Sequence, residues 1–187
     1  MLNRVLEMGK VYAEEILEKG DIAIDATLGN GHDTLFLLEI DKLSKIYSFD
    51  IQKEALLSST EKIKNHPDFK NVELILDGHE NVKQHVTESV KVALFNLGYL
   101  PNGDKSITTL PETTLKSIED ILDLLLPGGR IILTVYHGHS VGKLERDALL
   151  EYVSTLGQKY YNVLRYQFIN QQNHAPFLIV IEKKKRK

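Results

Sequence analysis

The 187-residue chain is predicted to be a doubly wound α/β protein, a mostly parallel sheet with helices on both faces and an antiparallel C-terminal hairpin. Three observations predict it. Short apolar runs alternate with segments of helical period; a glycine turn, GNG at 29–31, separates the first run from the next helix; and the last two runs are joined only by NQQNHA, too short for a helix.

Taken in order, Leu2, Val5, Leu6, Gly9, Tyr12, Ile16 and Leu17 recur near a helical period, and Gly20 supplies a stop. DIAIDAT (21–27) is a short buried strand, followed past the glycines by a helix over 34–39. KIYSFD (45–50) is the second strand, and a helix from about Ile51 to Asn65 stops before Pro67. NVELILD (71–77) is the third strand, and VKVALFNLGYLP (90–101) holds the fourth. Pro111 sits near the first turn of the amphipathic stretch LPETTLKSIEDILDLL, Pro127-Gly128-Gly129 ends it, and RIILTVYH (130–137) is the fifth strand. After a helix over 141–156, YNVLRYQFI (161–169) and PFLIVIEK (176–183) must pair antiparallel, whereas the earlier strands form parallel units with right-handed crossovers. No repeat or linker interrupts this order, so residues 1–187 are expected to form a single domain.

Composition removes several chemistries. The chain has no cysteine, which excludes disulfides, thiolate catalysis and cysteine-ligated zinc. A formal net charge of −3 argues against binding DNA or any long duplex through general phosphate attraction, while leaving room for a small RNA footprint. The basic tail EKKKRK reads as a solvated chain end. The first twenty residues are charged throughout and no window has the length of a membrane span, so no membrane association and a cytoplasmic location are expected.

Ligands of open α/β sheets bind at the carboxyl ends of the strands, which directs attention to the loop after the first one. Gly29 and Gly31 let the backbone approach a ligand, and the next helix offers unpaired N–H groups to an anion. A dinucleotide G-x-G-x-x-G pattern fails at Thr34. The loop is instead similar to motif I of S-adenosylmethionine-dependent methyltransferases, with Asp25, Thr27, Gly29 and Gly31 in its rhythm and Thr27 in place of the usual first glycine. Asp25 or Asp33 would receive the methionine ammonium, Asp50 both ribose hydroxyls, and Asp77 the adenine amino edge. The expected cofactor set is Asp25, Thr27, Gly29, Asn30, Gly31, Asp33, Thr34, Asp50, Gln52, Asp77, Gly78, His79 and Asn96. Two plainer readings stand beside it: a strand-to-helix turn that needs glycine, and aspartates that are turn residues or helix caps. Asp50 would serve NAD equally, which keeps a dehydrogenase among the alternatives.

FNLGYLP, at the end of the fourth strand, is similar to the (D/N)-P-P-(Y/F) loop of amino-group methyltransferases, matched at Asn96 and Tyr99 only. An amine nucleophile must be neutral with its lone pair aimed at the methyl group. The Asn96 oxygen and the Leu97 carbonyl can accept its hydrogens, and the Tyr99 ring can stack on a base. In VYHGHS, His137 or His139 is a candidate to take a proton from an ammonium substrate, and His139 joins Asn96 and Tyr99 in the expected catalytic set. Tyr136, His137 and His174 join Tyr99 as expected substrate contacts. His-x-His lacks a third ligand, so no metal is expected.

Through DATLGNGHDT, FNLGYLP, LPGGRI, VYHGH and QFINQQNHAPFLIVIEK, the chain resembles the small bacterial rRNA-methylase family, class I S-adenosylmethionine-dependent methyltransferases of the MnmM type. That resemblance implies a Rossmann-like, mostly parallel seven-stranded sheet. It also implies methylation of the aminomethyl group of 5-aminomethyl-2-thiouridine at the tRNA wobble position, with the anticodon stem-loop as partner. Lys105, Lys143, Arg146 and Arg165 are candidate phosphate contacts. Methylation of another RNA or a small amine, and a noncatalytic cofactor- or RNA-binding module, are the competing readings. Apolar residues on the first helix or the final hairpin are compatible with a homodimer, although no pattern requires one.

Overall fold

A computed structural model gives the fold over residues 1–98, 109–138 and 140–185. Strand β1 (Ile22–Asp25) lies inside the sheet, with Ala23, Ile24 and Asp25 fully buried, as a strand covered on both faces must be. It pairs in parallel with β2 (Lys45–Asp50) on one side and β4 (Val90–Leu97) on the other. β2 continues to β3 (Val72–Leu76) and β4 to β5 (Leu125–Val135), both parallel. The hairpin β6 (Tyr161–Tyr166) and β7 (Phe177–Lys183) then joins antiparallel through β7. The resulting seven-stranded order is β3-β2-β1-β4-β5-β7-β6.

Alternation along each strand sends neighbours to opposite faces. Ile24, Phe95 and Leu133 meet Ile118 and Ile121 of α5 (Pro111–Leu124) and Leu149 and Val153 of α6 (Ser140–Thr155). Ala23, Leu94 and Ile132 meet Val5 and Ala13 of α1 (Val5–Glu14), Leu37 of α2 (His32–Glu39) and Ile63 of α3 (Lys53–Ile63). Each large apolar side chain so buried contributes roughly 1.5–3 kcal/mol, which makes this two-sided burial the main source of stability.

Two local expectations change, and a third stretch holds elements that no expectation covered. α1 ends at Glu14, ahead of Ile16 and Leu17; the chain turns through Gly20 at φ 93°, yet Leu17 stays buried at 3% exposure, so its apolar signal was real and its helical assignment was not. Pro127-Gly128-Gly129 lies inside β5 rather than before it. Leu125 already pairs with Val90, and the register then shifts around Gly128 at φ 78°, an irregularity that glycine permits. Between β3 and β4 lie a 3-10 turn (His79–Asn81) and the single-turn helix α4 (Val82–His85), too short to leave a periodic trace. Among the described residues, no helix is long and apolar enough to cross a membrane.

Candidate active site

The strand order reverses between β1 and β4, and the loop leaving β1 straddles that crevice. Ala26 N–H reaches Leu94 O of β4 at 2.9 Å, and Leu28 N–H reaches Phe49 O of β2 at 2.9 Å. Gly29 and Gly31 are left-handed, at φ 49° and 73°. A Cβ on Gly31 would lie 2.9 Å from Ser59 Cβ of α3, and the Ser59 hydroxyl donates to Gly29 O at 2.9 Å. Glycine at 31 therefore answers both a backbone angle and a close approach.

Asp25 braces the loop from below. It is fully buried; Oδ1 accepts from Thr27 N–H at 3.2 Å, and Oδ2 accepts from the Thr34 hydroxyl at 2.7 Å, which in turn lies 2.8 Å from the Ser48 hydroxyl. Burial, joined by the charge of Asp33, pushes its carboxyl up to about 7, with the Thr34 and Thr27 bonds opposing. A folded value above the ordinary 3.8 means that this group's contribution to stability is present in full below pH 3.8 and lost as pH rises through about 7. Asp25→Asn fits the same niche, because its NH2 can donate to Thr34 while Thr34 turns its own hydrogen to Ser48. Urea unfolding between pH 5 and 8 should show wild-type stability falling by about 1 kcal/mol per pH unit more steeply than that of the variant. Parallel profiles would mean that Asp25 is ionised throughout.

Asp50 ends β2 on the same rim. Its Oδ2 accepts from Gly29 N–H and its Oδ1 from Gln52 N–H, both at 2.9 Å. Each carboxylate oxygen retains a lone pair, so the group can hold the loop and still accept two hydroxyls. Asp77 is more heavily engaged: Gly78 N–H at 2.8 Å, Asn81 Nδ2 at 2.9 Å and His85 Nε2 at 2.8 Å. The His85 bond comes first among the causes that hold its carboxyl below the usual range. His79, 8% exposed, donates from Nδ1 to Ala26 O at 3.0 Å, and burial lowers its pKa. Its buried Nε2 is then a bare acceptor with no partner among the described residues. Half-buried Thr27, Gly29, Asn30, Asp33, Asp50, Gln52 and Asp77 border the same crevice, with Thr34 and Gly78 buried behind them. Glycine backbone and carboxylates with spare lone pairs fit a nucleoside that carries hydroxyl donors.

Asn96, at the end of β4, is held twice from the glycine-loop segment. Its N–H donates to Thr27 Oγ1 at 2.7 Å and its side-chain Nδ2 to Asp33 Oδ2 at 2.6 Å. The Leu97 carbonyl already receives Tyr136 N–H at 3.3 Å and keeps one lone pair for another donor. Next in the chain, Gly98 N–H donates to Thr109 Oγ1 at 2.9 Å, and Thr109 N–H returns to Gly98 O at 3.0 Å. Glu145 of α6, 1% exposed, accepts from Thr109 at 2.7 Å and from Thr114 at 2.6 Å. Sequence reading missed Glu145, Thr109 and Thr114; their partners lie 31 and 36 residues apart, beyond any local pattern. Tyr99, His139 and Lys105 lie outside the described residues.

Beyond β5, Tyr136 is 37% exposed, and burial followed by the charge of Asp33 raises its phenol pKa. His137 is committed to local bonding. Ala175 O can only accept, so Nε2 donates to it at 3.1 Å; Arg146 can only donate, so Nδ1 accepts from it at 3.3 Å. This is the neutral tautomer, in keeping with a pKa lowered by burial. His174, left-handed at φ 54°, sets its ring 5.6 Å from that of His137, and Arg165 lies 4.2 Å over the Phe177 ring. His137, His174, Arg146 and Arg165 thus gather past the end of β5, around Phe177 of β7, while Lys143 is exposed. Among the described residues, no group of three or more His, Asp or Glu side chains is placed to hold a metal ion.

Comparison with known proteins adds to this geometry. The model of the family described as "Putative rRNA methylase" matches residues 46–182. A chloroplastic tRNA (mnm(5)s(2)U34)-methyltransferase of Arabidopsis thaliana is 35% identical over 192 residues, which cover 97% of this chain and 70% of the relative. Among solved structures, a putative methyltransferase from Streptococcus mutans in complex with SAH is 45% identical with a TM-score of 0.91, covering 98% of this chain and 99% of that one. A putative rRNA-methylase from Clostridium thermocellum is 38% identical with a TM-score of 0.94 and the same coverage. The fold alone is shared with an S-adenosylmethionine-dependent O-methyltransferase from Thermotoga maritima, at 12% identity and a TM-score of 0.68, covering 100% of this chain and 68% of that one.

Proposed function

The chain belongs to the putative rRNA methylase family, and we propose that it methylates the aminomethyl nitrogen of 5-aminomethyl-2-thiouridine at the tRNA wobble position. It is an S-adenosylmethionine-dependent methyltransferase with the class I fold. When bound, S-adenosylmethionine supplies a methyl group already activated on a sulfonium, so the protein's task is mainly alignment. In this reading the glycine loop, Asp50, Gln52 and the 77–79 turn hold the cofactor, and Asp25 and Thr34 shape the loop from beneath.

The observation that supports an amine acceptor is the state of Asn96. Its NH2 group is taken up by Asp33, and its side-chain oxygen has no partner among the described residues. That oxygen is an acceptor at the strand end suited to a hydrogen of a neutral primary amine, and the adjoining Leu97 carbonyl, although its residue is fully buried, keeps a second lone pair for the other. A hydroxyl or a ring carbon would use at most one. Tyr136 offers an aromatic face on which an unstacked anticodon base can rest; in this reading His174, Arg146 and Arg165 face RNA phosphate, while buried His137, with both ring nitrogens taken, supports Arg146 from beneath. Tyr99 and His139 complete the proposed site from outside the described residues. The reading carries with it the anticodon stem-loop as partner and a cytoplasmic setting.

The test uses the purified protein, S-adenosylmethionine and tRNA from cells lacking this gene, followed by mass spectrometry of the nucleosides. One methyl gained on 5-aminomethyl-2-thiouridine is the expected result. Binding of S-adenosylmethionine with no such gain would reject the substrate and send the search to other RNAs and small amines.

A further inference from the structure

We propose that Asp33 is the positioning residue of the acceptor site: it fixes the rotation of the Asn96 amide, so that the carbonyl oxygen and not the NH2 group meets the incoming amine. The proposal rests on the amine-methylation reading above. An asparagine amide has two orientations related by a half turn, nearly identical in shape and opposite in chemistry. With NH2 turned toward a primary amine, hydrogens would face hydrogens and the nucleophile's lone pair would be drawn to the protein instead of the methyl group. Something must break that degeneracy.

The Asp33 carboxylate does so by its chemistry. It has no hydrogen to donate, and its Oδ2 stands 2.6 Å from Asn96 Nδ2. The reversed amide would bring two oxygens together at that distance, while the observed one makes a charge-assisted hydrogen bond. Asp33 lies in the first turn of α2, where the helix dipole favours a carboxylate. Its negative charge is felt on both sides, raising the pKa of Asp25 below and of Tyr136 across the crevice. The backbone of Asn96 is set independently by Thr27. Position and rotation of the acceptor residue are therefore both dictated by the segment that holds the cofactor. The other Asp33 oxygen has no bond among the described residues, so a separate contact of Asp33 with the cofactor's ammonium uses a different atom.

Two readouts test this. In protein labelled with 15N on asparagine, the Asn96 side-chain signals, assigned by their loss in Asn96→Ala, should show one hydrogen-bonded, slowly exchanging NH2 proton. Asp33→Ala should return them to the position of a solvated amide. Asp33→Asn, whose amide can accept from Asn96 or donate to it, restores the two-fold choice and should give a mixture of the bonded and solvated signals. At saturating S-adenosylmethionine, which removes any effect on cofactor affinity, kcat should fall about 10- to 100-fold in Asp33→Ala and by a smaller factor in Asp33→Asn, where one of the two amide pairings still exposes the Asn96 oxygen. Unchanged amide signals in Asp33→Ala, or an unchanged kcat at saturating cofactor, would each overturn the proposal. If the wild-type protein transfers no methyl to the tRNA, the substrate reading fails instead, and the amide signals alone decide whether Asp33 fixes Asn96.

Discussion

Asn96→Ala is expected to lower methyl transfer to the tRNA about 100- to 1,000-fold while leaving S-adenosylmethionine affinity within about 3-fold. The split follows from where Asn96 sits. Its N–H bond to Thr27 comes from the main chain and survives the substitution, so the glycine loop keeps its support. What disappears is the side-chain oxygen, and with it one of two acceptors able to orient an amine. Asn96→Asp provides a sharper control. It keeps the shape and an acceptor, but sets a second carboxylate against Asp33 where a 2.6 Å hydrogen bond now stands. Two such groups cannot both be ionised comfortably, so the variant should be nearly inactive at neutral pH, and its rate relative to wild type at the same pH should rise as the pair takes up a shared proton at lower pH. Single-turnover rates and calorimetric cofactor titrations separate the two quantities. Equal losses of rate and cofactor affinity in Asn96→Ala would place Asn96 in cofactor binding instead.

Asp50→Ala is expected to weaken S-adenosylmethionine binding by roughly 10- to 100-fold, the loss of one or more hydrogen bonds to a charged group. The carboxylate has two tasks: it accepts from Gly29 N–H and Gln52 N–H, and in the proposed site it also accepts the ribose hydroxyls. Asp50→Asn should fare little better. Both oxygens face backbone N–H groups, so either orientation of an amide turns an NH2 group toward a donor. In this respect Asp50 differs from Asp25, whose Thr34 partner is a hydroxyl that can reverse its bond. Isothermal titration with S-adenosylmethionine reads the effect, and circular dichroism confirms that the sheet is intact. An unchanged Kd in Asp50→Ala would move the ribose site elsewhere.

The residues for which these effects are largest were readable because they end strands. A carboxylate after KIYSF and an asparagine after VKVALF reach the carboxyl rim once those runs are recognised as parallel strands. Asp77 ends a strand in the same way and reads as the residue for the adenine edge; the bonds it receives from His85, Asn81 and Gly78 leave no mark on strand periodicity. His137 reads as a titrating base in the sequence; its lone pair is taken by Arg146, nine residues on and across a turn.

By itself the sequence determined the alternation of strands and helices, the closing hairpin and the crevice where chemistry must sit. Those follow from burial period and connection length, which are properties of consecutive residues. Tertiary structure decided how each polar group is used: Asp25 beneath the loop, Asp33 on an asparagine 63 residues away, and Glu145 holding Thr109 and Thr114. A hydrogen bond is short and directional, and its partner is chosen by packing, so residues distant in the chain acquire their chemical roles only when the sheet brings them together.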